Sequence, residues 1–545
     1  MTRPRITIDG RAVEVAPGQT ILDAARSLGL DIPTLCFLEK CGPMNSCLVC
    51  VVKVTQNGRS RVAPSCGLRA EDGMVVESET AEVRELRRSA LELLFSDHVG
   101  DCLSPCHRIC PLDLNIPRMI RQIEAGRNDE AIATIRAALA LPATLGRLCH
   151  APCQNGCRRS GCGGSAAIRD LERFAADMDL KSPEPYRPTP KPSTGKRVAV
   201  VGAGPAGLAA AYHLLRQGHA CVVFDRNPQA GGSLRTQTDE KSLPREVLDA
   251  EIRQIERLGA GFRLSITLGG GITIEALQQE FDAVLLTIGE VATEDAARLG
   301  LPATPTGLQS DPATGQIARA KTFAAGSMVK PVKRLVRAMS DGQTVAECVH
   351  QFLSGLPIRP PPKALSSVMG RLDDQELSLF LKIASPAPRT SPVAGLLFGF
   401  NPQEAKGEAA RCLHCDCRAA GSCALQHYAE LYGANSNRFP RQRRRFQQEL
   451  HPADVIFESG KCILCGICVH LAKQAAEPLG LTFVGRGFDV QVSAPFNRAF
   501  AEGLRKVAAE CVAACPTGAI VFKDGKPLVT PGKRSDHKAG VSPKG

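Results

Sequence analysis

The sequence is poor in aromatic side chains: among 545 residues it has no tryptophan and only four tyrosines. Proteins that bind single-stranded nucleic acid by stacking need aromatic side chains close to basic ones. The densest basic stretch, RFPRQRRR at 438–445, has no such interleaving. We therefore expect the net charge of +12 to face anionic groups or an acidic protein partner, and not nucleic acid.

Long apolar runs are also missing from the chain. No stretch approaches the roughly 18 apolar residues that a membrane span requires. No charged segment followed by an apolar run, as in a secretory signal, opens the sequence. These absences predict a cytoplasmic protein without membrane insertion.

Cysteine, in contrast, is abundant. The chain has 23 cysteines, of which 21 fall in close groups or complete such groups, while Cys221 and Cys348 stand alone. In a reducing compartment, clustered cysteines bind metals or iron–sulfur clusters more often than they form disulfides. We therefore interpret the groups as ligand sets.

The first cysteine group follows a predicted β-hairpin at residues 5–15 and a predicted short helix at 20–28. Its spacing is C-x10-C-x2-C-x15-C, on Cys36, Cys47, Cys50 and Cys66. Four such thiolates can hold a 2Fe-2S cluster. With IPTLC before and EDGMVV after, the segment resembles the N-terminal β-grasp ferredoxin domain of the large iron–sulfur subunit of respiratory complex I. Cys41 does not fit the pattern, and zinc on the four cysteines is the alternative.

Helical periodicity dominates residues 83–179, where two further cysteine groups occur. They comprise Cys102, Cys106 and Cys110, then Cys149, Cys153, Cys157 and Cys162. The stretches CPLDLNIPRMIRQIEAGRNDEAI, GRLCHAPCQNGC and AAIRDLERF resemble the N-terminal domain of the glutamate synthase small subunit and of dihydropyrimidine dehydrogenase. That domain carries two 4Fe-4S clusters.

The resemblance implies the ligands of both clusters. One cluster would take Cys110, Cys149, Cys153 and Glu172, and the other would include Cys106 and Cys157. The family begins its first group with a C-x2-C pair, whereas this chain has Cys102 alone. The fourth ligand beside Cys102 is then Cys162 or His98. His98-x3-Cys102 matches the start of the histidine-ligated cluster motif of the complex I subunit, but Cys162 is slightly preferred.

A dinucleotide-binding motif follows a proline-rich linker. The strand KRVAVV leads directly into Gly-x-Gly-x-x-Gly and an apolar helix, the context that this motif requires. Its glycines allow the backbone to approach a pyrophosphate at the helix N-terminus. Asp225 ends the next strand, where it would accept the ribose hydroxyls.

Downstream segments favour FAD over NAD. GGSLR, LPREVLDAEIRQIERLG, FDAVLLTIG and KTFAAGS resemble, in order, the FAD domain of glutamate synthase small subunits. The resemblance implies the following FAD-binding residues: Gly202, Gly204, Pro205, Ala206, Gly207, Asp225, Arg226, Gly232, Ser233, Leu234, Gly289, Gly326 and Ser327. Ser327 replaces the aspartate that normally contacts the ribityl chain.

The chain departs from this family between Gly289 and Phe323. Only 33 residues lie between them, where the family inserts a complete NADPH-binding domain. One βαβ unit alone takes about 30 residues. We therefore expect no pyridine-nucleotide site within this chain.

The last third contains two more cysteine groups. The compact group Cys412, Cys415, Cys417 and Cys423 would hold one 4Fe-4S cluster, with zinc as the alternative. Cys462, Cys465 and Cys468 with Cys515 resemble a two-cluster ferredoxin module of the complex I subunit. Ala472, Arg505 and Ala508 occupy ligand positions of its second cluster, so one 4Fe-4S cluster remains and Cys511 is a remnant.

We predict a multidomain fold that combines α+β and α/β parts. The predicted segments are a β-grasp 2Fe-2S domain (1–80), a helical double 4Fe-4S domain (81–181), a linker (182–195), a Rossmann-like FAD domain (196–355), a helical linker (356–411), a compact cysteine segment (412–450), a ferredoxin-like 4Fe-4S domain (451–530) and a disordered tail (531–545).

These features predict an oxidoreductase subunit that relays electrons through one FAD, one 2Fe-2S cluster and about four 4Fe-4S clusters. The expected partners in a hetero-oligomer are subunits similar to the NADH-dehydrogenase part of complex I, and a hydrogenase or formate dehydrogenase. Electron bifurcation at FAD is a further hypothesis. The alternatives are an NAD(P)H-dependent small subunit that supplies a glutamate synthase-like enzyme, and a non-enzymatic scaffold stabilised by metals. The sequence indicates no catalytic acid, base or nucleophile.

Overall fold

The computed structural model describes residues 3–361, 364–439 and 444–524. The predicted tail at 531–545 and part of the basic stretch at 438–445 lie outside these residues. The chain divides into two compact units. Unit 1 contains Met1–Leu103, Ala364–Leu379 and Asp416–Gly545, and unit 2 contains Ser104–Lys363 and Phe380–Cys415. Unit 2 is therefore an insertion, in two pieces, within the sequence of unit 1.

Unit 1 begins with a five-stranded sheet. In spatial order its strands are Arg11–Glu14, Arg5–Ile8, Val75–Glu77, Val51–Gln56 and Arg59–Pro64. Arg5–Ile8 and Val75–Glu77 are parallel, and the other pairs are antiparallel. Asp9 and Gly10, both at positive φ, form the tight turn of the predicted hairpin. The predicted helix is Ile21–Ser27, which Thr20 and Asp23 begin with a capping box.

The remainder of unit 1 is made of short elements. Its other strands pair Phe37–Leu38 with Gly42–Pro43, Thr482–Val484 with Gln491–Ser493, and Val455–Phe457 with both Glu449–His451 and Ile520–Phe522. Its other helices are Ala81–Ser96, Ala424–Leu431, Ile467–Gln474, Phe500–Gly503 and Ala508–Ala514. The helix Asp374–Leu381 spans the point where the chain passes into unit 2.

Unit 2 contains a parallel five-stranded sheet and a helical region. The strands, in spatial order, are Gly261–Arg263, Ala220–Phe224, Arg197–Val201, Ala283–Leu286 and Thr322–Ala324. The helices before the sheet are Pro105–Ile109, Ile116–Glu124, Asn128–Ala138, Pro142–Leu148, Pro152–Asn155 and Ile168–Leu180. Those within and after it are Pro205–Arg216, Ser233–Thr236, Arg245–Arg257, Ile274–Glu280, Thr293–Arg298, Leu335–Leu353 and Pro402–Ala409.

The segment between Gly289 and Phe323 is as small as its length predicts. It contains the helix Thr293–Arg298 and a pair of two-residue strands, Ala303–Thr304 and Gly307–Leu308. Within the described residues, no single helix is long and apolar enough to cross a membrane. The helices Asn128–Ala138 and Pro142–Leu148, bent by 83° to each other, meet the length and composition of a membrane span when taken together.

A buried ion pair fastens the end of the helix Pro402–Ala409 to loops of unit 2. Arg411 Nη1 lies 2.6 Å from Glu408 Oε1, and neither side chain is exposed. The pair also binds the N–H groups of Ala167 and Thr390 and the carbonyl groups of Gly163, Gly164 and Ala387. Because Cys412 directly follows Arg411, this network sets its position.

We expect Arg411→Met to destabilise unit 2 by about 3–5 kcal/mol, because it leaves the buried Glu408 carboxylate without its cation. Chemical denaturation followed by circular dichroism measures the loss. The matched control is Arg389→Met, since the Arg389–Asp170 pair is partly exposed at 3.7 Å and should contribute less than about 1 kcal/mol. Equal effects of the two substitutions would contradict this account.

Candidate functional site

The Gly-x-Gly-x-x-Gly turn lies between the strand Arg197–Val201 and the helix Pro205–Arg216. A Cβ on Gly207 would overlap the carbonyl oxygen of Gly202, so glycine is required for close packing. A Cβ on Gly204 would meet no atom within 4 Å. The turn therefore leaves open space at the helix N-terminus, where backbone N–H groups favour a pyrophosphate.

Three parallel strands bring predicted residues to one edge of the sheet. Gly202, Gly289 and Gly326 follow the carboxyl ends of the adjacent strands Arg197–Val201, Ala283–Leu286 and Thr322–Ala324. Ligands bind at this edge of open α/β sheets.

Three close contacts surround this turn. A Cβ on Gly232 would approach the Cα of Gly204, and Gly231 N donates to the carbonyl of Ala203 at 2.8 Å. A Cβ on Gly326 would lie 3.0 Å from the Cβ of Ala206. Several of the residues that the sequence predicts for FAD thus converge around the glycine turn, namely Gly202, Gly204, Ala206, Gly207, Gly232 and Gly326. The arrangement fits a dinucleotide.

Asp225 has protein partners of its own. Its carboxylate accepts the N–H of Ala203 at 2.7 Å and the backbone and side-chain N–H groups of Asn227 at 2.8 Å. A carboxylate has about four acceptor sites, so capacity for a ribose hydroxyl remains. Arg226 is exposed, Leu234 is buried, and Ser327 Oγ accepts the N–H of Val332 at 3.3 Å.

The thiols of Cys36, Cys47, Cys50 and Cys66 are buried and lie together. A hydrogen bond from Cys47 lowers the pKa of Cys36 to about 5. The hydrogen bond with Cys66, whose Sγ is 3.3 Å away, lowers the pKa of Cys50 to about 7. The same hydrogen bonds, together with burial, raise the pKa values of the partners Cys47 and Cys66. Four buried thiols brought together in this way fit a thiolate-bound iron–sulfur cluster.

A second group in unit 1 lines a cavity. Its walls include Cys462, Cys465, Cys468 and Cys515, with Phe457, Pro516 and Ile520. Burial, with a smaller contribution from the charge of Cys515, raises the pKa of Cys462 to about 12. Cys36 is also close enough to Cys465 to raise its pKa. This group and the first one are thus neighbours.

Cys511, which the sequence assigns to no ligand set, lies beside this second group. It is buried, and burial followed by the charge of Cys515 raises its pKa to about 12. Cys41, the other thiol outside the predicted pattern, lies within electrostatic range of Cys511. Its Sγ is 3.8 Å from Gln474 Oε1.

In unit 2, Cys110, Cys149, Cys153 and Glu172 form a third group. Burial raises the pKa of Cys153, and the charges of Cys110, Glu172 and Cys149 raise it further. Burial also raises the pKa of Glu172 to about 8. Glu172 Oε1 is buried without a hydrogen-bond partner. A buried acceptor without a donor is costly, and an iron ligand position would satisfy it.

A fourth group joins distant parts of unit 2. Burial raises the pKa of Cys106 strongly, and the charges of Cys415, Cys412 and Cys157 add to the increase. Cys106 Sγ is 3.0 Å from Ser104 Oγ. Cys162 follows the short helical turn Arg158–Gly161.

A fifth group lies in unit 1 around Cys102, Cys417 and Cys423. Burial raises the pKa of Cys423 to about 12, and the charges of Cys417 and Cys102 contribute. Cys417 N donates to the carbonyl of Cys102 at 3.3 Å. Desolvation lowers the pKa of His98 to about 3, with a contribution from Lys461. A neutral imidazole is the form that binds metals.

These groups differ from the expected grouping. The sequence predicts one compact site on Cys412, Cys415, Cys417 and Cys423, and another with Cys102, Cys106, Cys157 and Cys162 or His98. Cys412 and Cys415 belong to unit 2, whereas Cys417 and Cys423 belong to unit 1. Cys102 and Cys106 are divided in the same way. The boundary between the units thus falls inside both runs of cysteines, and the ligand sets expected from the spacing stay a prediction.

No three His, Cys, Asp or Glu side chains in the described ranges are placed to hold a single metal ion. A cluster does not need that arrangement, because its ligands surround several iron atoms instead of one.

Comparison with known families locates three domains. Residues 3–81 match a 2Fe-2S iron–sulfur cluster binding domain. Residues 97–183 match dihydropyrimidine dehydrogenase domain II, a 4Fe-4S cluster domain. The chain is a multidomain iron–sulfur protein. Residues 200–261 of this iron–sulfur protein match an NAD(P)-binding Rossmann-like domain.

Curated relatives of this iron–sulfur protein are oxidoreductase subunits. It is 38% identical over 207 residues to the NADP(+)-dependent formate dehydrogenase subunit beta of Moorella thermoacetica, covering 34% of this chain and 29% of the relative. It is 36% identical to the NAD-dependent dihydropyrimidine dehydrogenase subunit PreT of Escherichia coli, covering 38% and 51%. It is 37% identical to the small chain of the NADPH glutamate synthase of Mycobacterium tuberculosis, covering 35% and 40%. The matches span about half or less of each relative. The resemblance to the glutamate synthase small subunit and to dihydropyrimidine dehydrogenase is confirmed, as is the 2Fe-2S domain at the start of the chain.

We expect Gly204→Ala to lose most of the bound dinucleotide without destabilising the fold. The new methyl group has free space in the chain, and Gly204 has a φ of −81° that alanine adopts, but the methyl would occupy the place of the pyrophosphate. Gly207→Ala is the comparison, since its Cβ overlaps the Gly202 carbonyl. That variant should lose both the dinucleotide and about 1–3 kcal/mol of stability. Flavin absorbance per chain and thermal unfolding separate the two effects. Full flavin content in Gly204→Ala would refute the assignment of this cradle.

Proposed function

We propose that this chain is an electron-transfer subunit of a larger redox complex. The observation that carries the proposal is the contiguity of the cysteine groups of unit 1. Cys36 of the first group lies within electrostatic range of Cys465 of the second. Cys515 of the second lies within electrostatic range of Cys423 of the fifth. A series of adjoining ligand sets is the arrangement that an electron relay needs.

The proposed ligand sets follow the contacts described above. Cys36, Cys47, Cys50 and Cys66 hold a 2Fe-2S cluster. Four 4Fe-4S sets complete the chain: Cys462, Cys465, Cys468 and Cys515; His98, Cys102, Cys417 and Cys423; Cys110, Cys149, Cys153 and Glu172; and Cys106, Cys157, Cys412 and Cys415. Cys41, Cys162 and Cys511 then remain outside the sets. Compared with the sets expected from the sequence, His98 becomes a ligand and Cys162 does not. Cys412 and Cys415 join Cys106 and Cys157, so the compact set that could have held zinc no longer exists.

The cradle around Gly202, Gly204 and Gly207 is proposed to hold FAD. A bound flavin exchanges electrons singly or in pairs, which suits a protein that also holds one-electron clusters. The chain supplies the helix N-terminus for the pyrophosphate and Asp225 for the ribose. Thr287 Oγ1 donates to the carbonyls of Val201 and Gly202 and so holds the turn in place.

We further propose that the electrons come from a partner. The segment between Gly289 and Phe323 offers one six-residue helix and a small strand pair, too little for a second nucleotide domain. The curated relatives of the chain are subunits of dehydrogenases and of a synthase, including a formate dehydrogenase. A cytoplasmic hetero-oligomer with an NADH-dehydrogenase-like subunit and a formate dehydrogenase or hydrogenase subunit fits these features. If the FAD of that complex passed its two electrons to two different acceptors, the complex would also carry out electron bifurcation.

The second candidate is an NAD(P)H-dependent oxidoreductase that supplies a synthase. It is favoured by the match of residues 200–261 to an NAD(P)-binding Rossmann-like domain. In this alternative the nucleotide binds the chain directly, without a partner.

The two functions differ in the response of the isolated chain to pyridine nucleotide. We expect anaerobically purified protein to contain about 18 irons and one FAD. Its flavin absorbance should stay oxidised when NADH or NADPH is added, and should bleach with dithionite. Rapid bleaching by either nucleotide would favour the second candidate.

Pairs of variants test the two proposed ligand sets whose members are far apart in sequence, the one with Cys106 and Cys412 and the one with Cys102 and Cys417. We expect Cys106→Ala and Cys412→Ala to lose up to about four irons each and the same EPR signal. Cys102→Ala and Cys417→Ala should both lose a different signal. Within each pair, the double variant should lose no more than the single ones.

The control for this experiment is Cys162→Ala, which should keep all its iron. Loss of one shared signal in Cys412→Ala and Cys417→Ala would instead restore the compact site that the sequence predicts. Loss of iron in Cys162→Ala would return that residue to the ligands.

A further inference from the structure

Lys461 is a buried cation that none of the proposed ligand sets uses. Its side chain is 3% exposed, and its ammonium forms an ion pair with the equally buried Glu458. Burying a charge is costly unless it is paired. A lysine in this position therefore suggests a role that an apolar side chain would not fill.

The side chain of Lys461 lies against the fifth cysteine group. A Cβ on Gly100 would overlap Lys461 Cε. A Cβ on Gly518 would overlap the Sγ of Cys417 and lie 3.8 Å from Lys461 Cδ. The two glycines thus leave room for the lysine beside Cys417, and the ammonium acts electrostatically on both Cys417 and His98.

The backbone of Lys461 belongs to the second group. Lys461 directly precedes Cys462, and Thr517 Oγ1 donates to its carbonyl at 2.9 Å. Thr517 itself comes two residues after Cys515. Lys461 is therefore fixed by one ligand set while its charged end reaches the other.

Glu458 and Arg418 are the charged side chains that act on the ammonium together with Cys417. Glu458 is paired with Lys461, and Arg418 Nη1 lies 4.0 Å from Glu458 Oε1. Gln448 Nε2 also donates to Glu458 Oε1 at 2.9 Å. The carboxylate would thus keep a cationic neighbour and a hydrogen bond if the lysine were replaced.

We propose that Lys461 raises the reduction potential of the cluster held by His98, Cys102, Cys417 and Cys423. Reduction adds negative charge to a cluster, and a fixed cation nearby stabilises the reduced form. The effect acts through charge beside the ligand Cys417, since Lys461 is not itself a ligand. This inference rests on the ligand set proposed above.

The test is an anaerobic redox titration of the full chain monitored by EPR. The signal that Cys417→Ala removes identifies the cluster. We expect Lys461→Met to lower the midpoint potential of that signal and Lys461→Arg to leave it close to that of the parent chain. The double variant Lys461→Met with Glu458→Gln should move the potential back toward the parent value, because both charges are then gone. The 2Fe-2S signal of the Cys36–Cys66 loop serves as the internal reference and should not move.

Unchanged potential in Lys461→Met would overturn the inference, as would a double variant that moves further from the parent value. If Lys461→Met loses iron, Lys461→Gln, which keeps a donor for Glu458, replaces it with the same expected shift. If Cys417→Ala keeps every signal and all its iron, the ligand set itself is wrong and the inference falls with it. A failure of the tuning role alone leaves that variant's loss of signal intact.

Discussion

The buried pair of Arg411 and Glu408 is the contact on which the ligand arrangement of unit 2 depends. Its backbone partners come from loops more than 200 residues apart in sequence, at 163–167 and 387–390. Because a buried ion pair must satisfy all its remaining donors and acceptors, these loops have little freedom. Cys412 is thereby held beside Cys106 and Cys157, which come from the beginning of the unit.

Elements with strong local signals could be predicted from the sequence. The hairpin around Asp9-Gly10, the capped helix Ile21–Ser27 and the strand–turn–helix of the dinucleotide cradle are all confirmed. In each case residues that are close in sequence make the decisive contacts. The glycines at 204 and 207 illustrate this, since Gly204 faces open space and Gly207 packs against the carbonyl of Gly202, five residues earlier in the same turn.

The grouping of the cysteines that we propose could not be predicted from local patterns. Spacing predicts ligands that share one loop, whereas two of the proposed sets join early and late residues about 255 to 325 positions apart in sequence. The sequence does contain related signals. Under the proposal, Cys412-x2-Cys415 supplies the C-x2-C pair that is missing at the start of the helical domain, and Cys417-x5-Cys423 completes the motif that begins with His98-x3-Cys102.

The division of Cys415 and Cys417 between two units has a consequence for biosynthesis. With the proposed sets, Cys102, Cys106 and Cys157 leave the ribosome long before residues 412–423. At about 5–20 residues per second, they wait roughly 13 to 64 seconds as free thiols. Both clusters must therefore be inserted late, after one short stretch of chain has been made, and their delivery is tied to a single moment in synthesis. Until then the early cysteines need protection from oxidation and from stray metal ions.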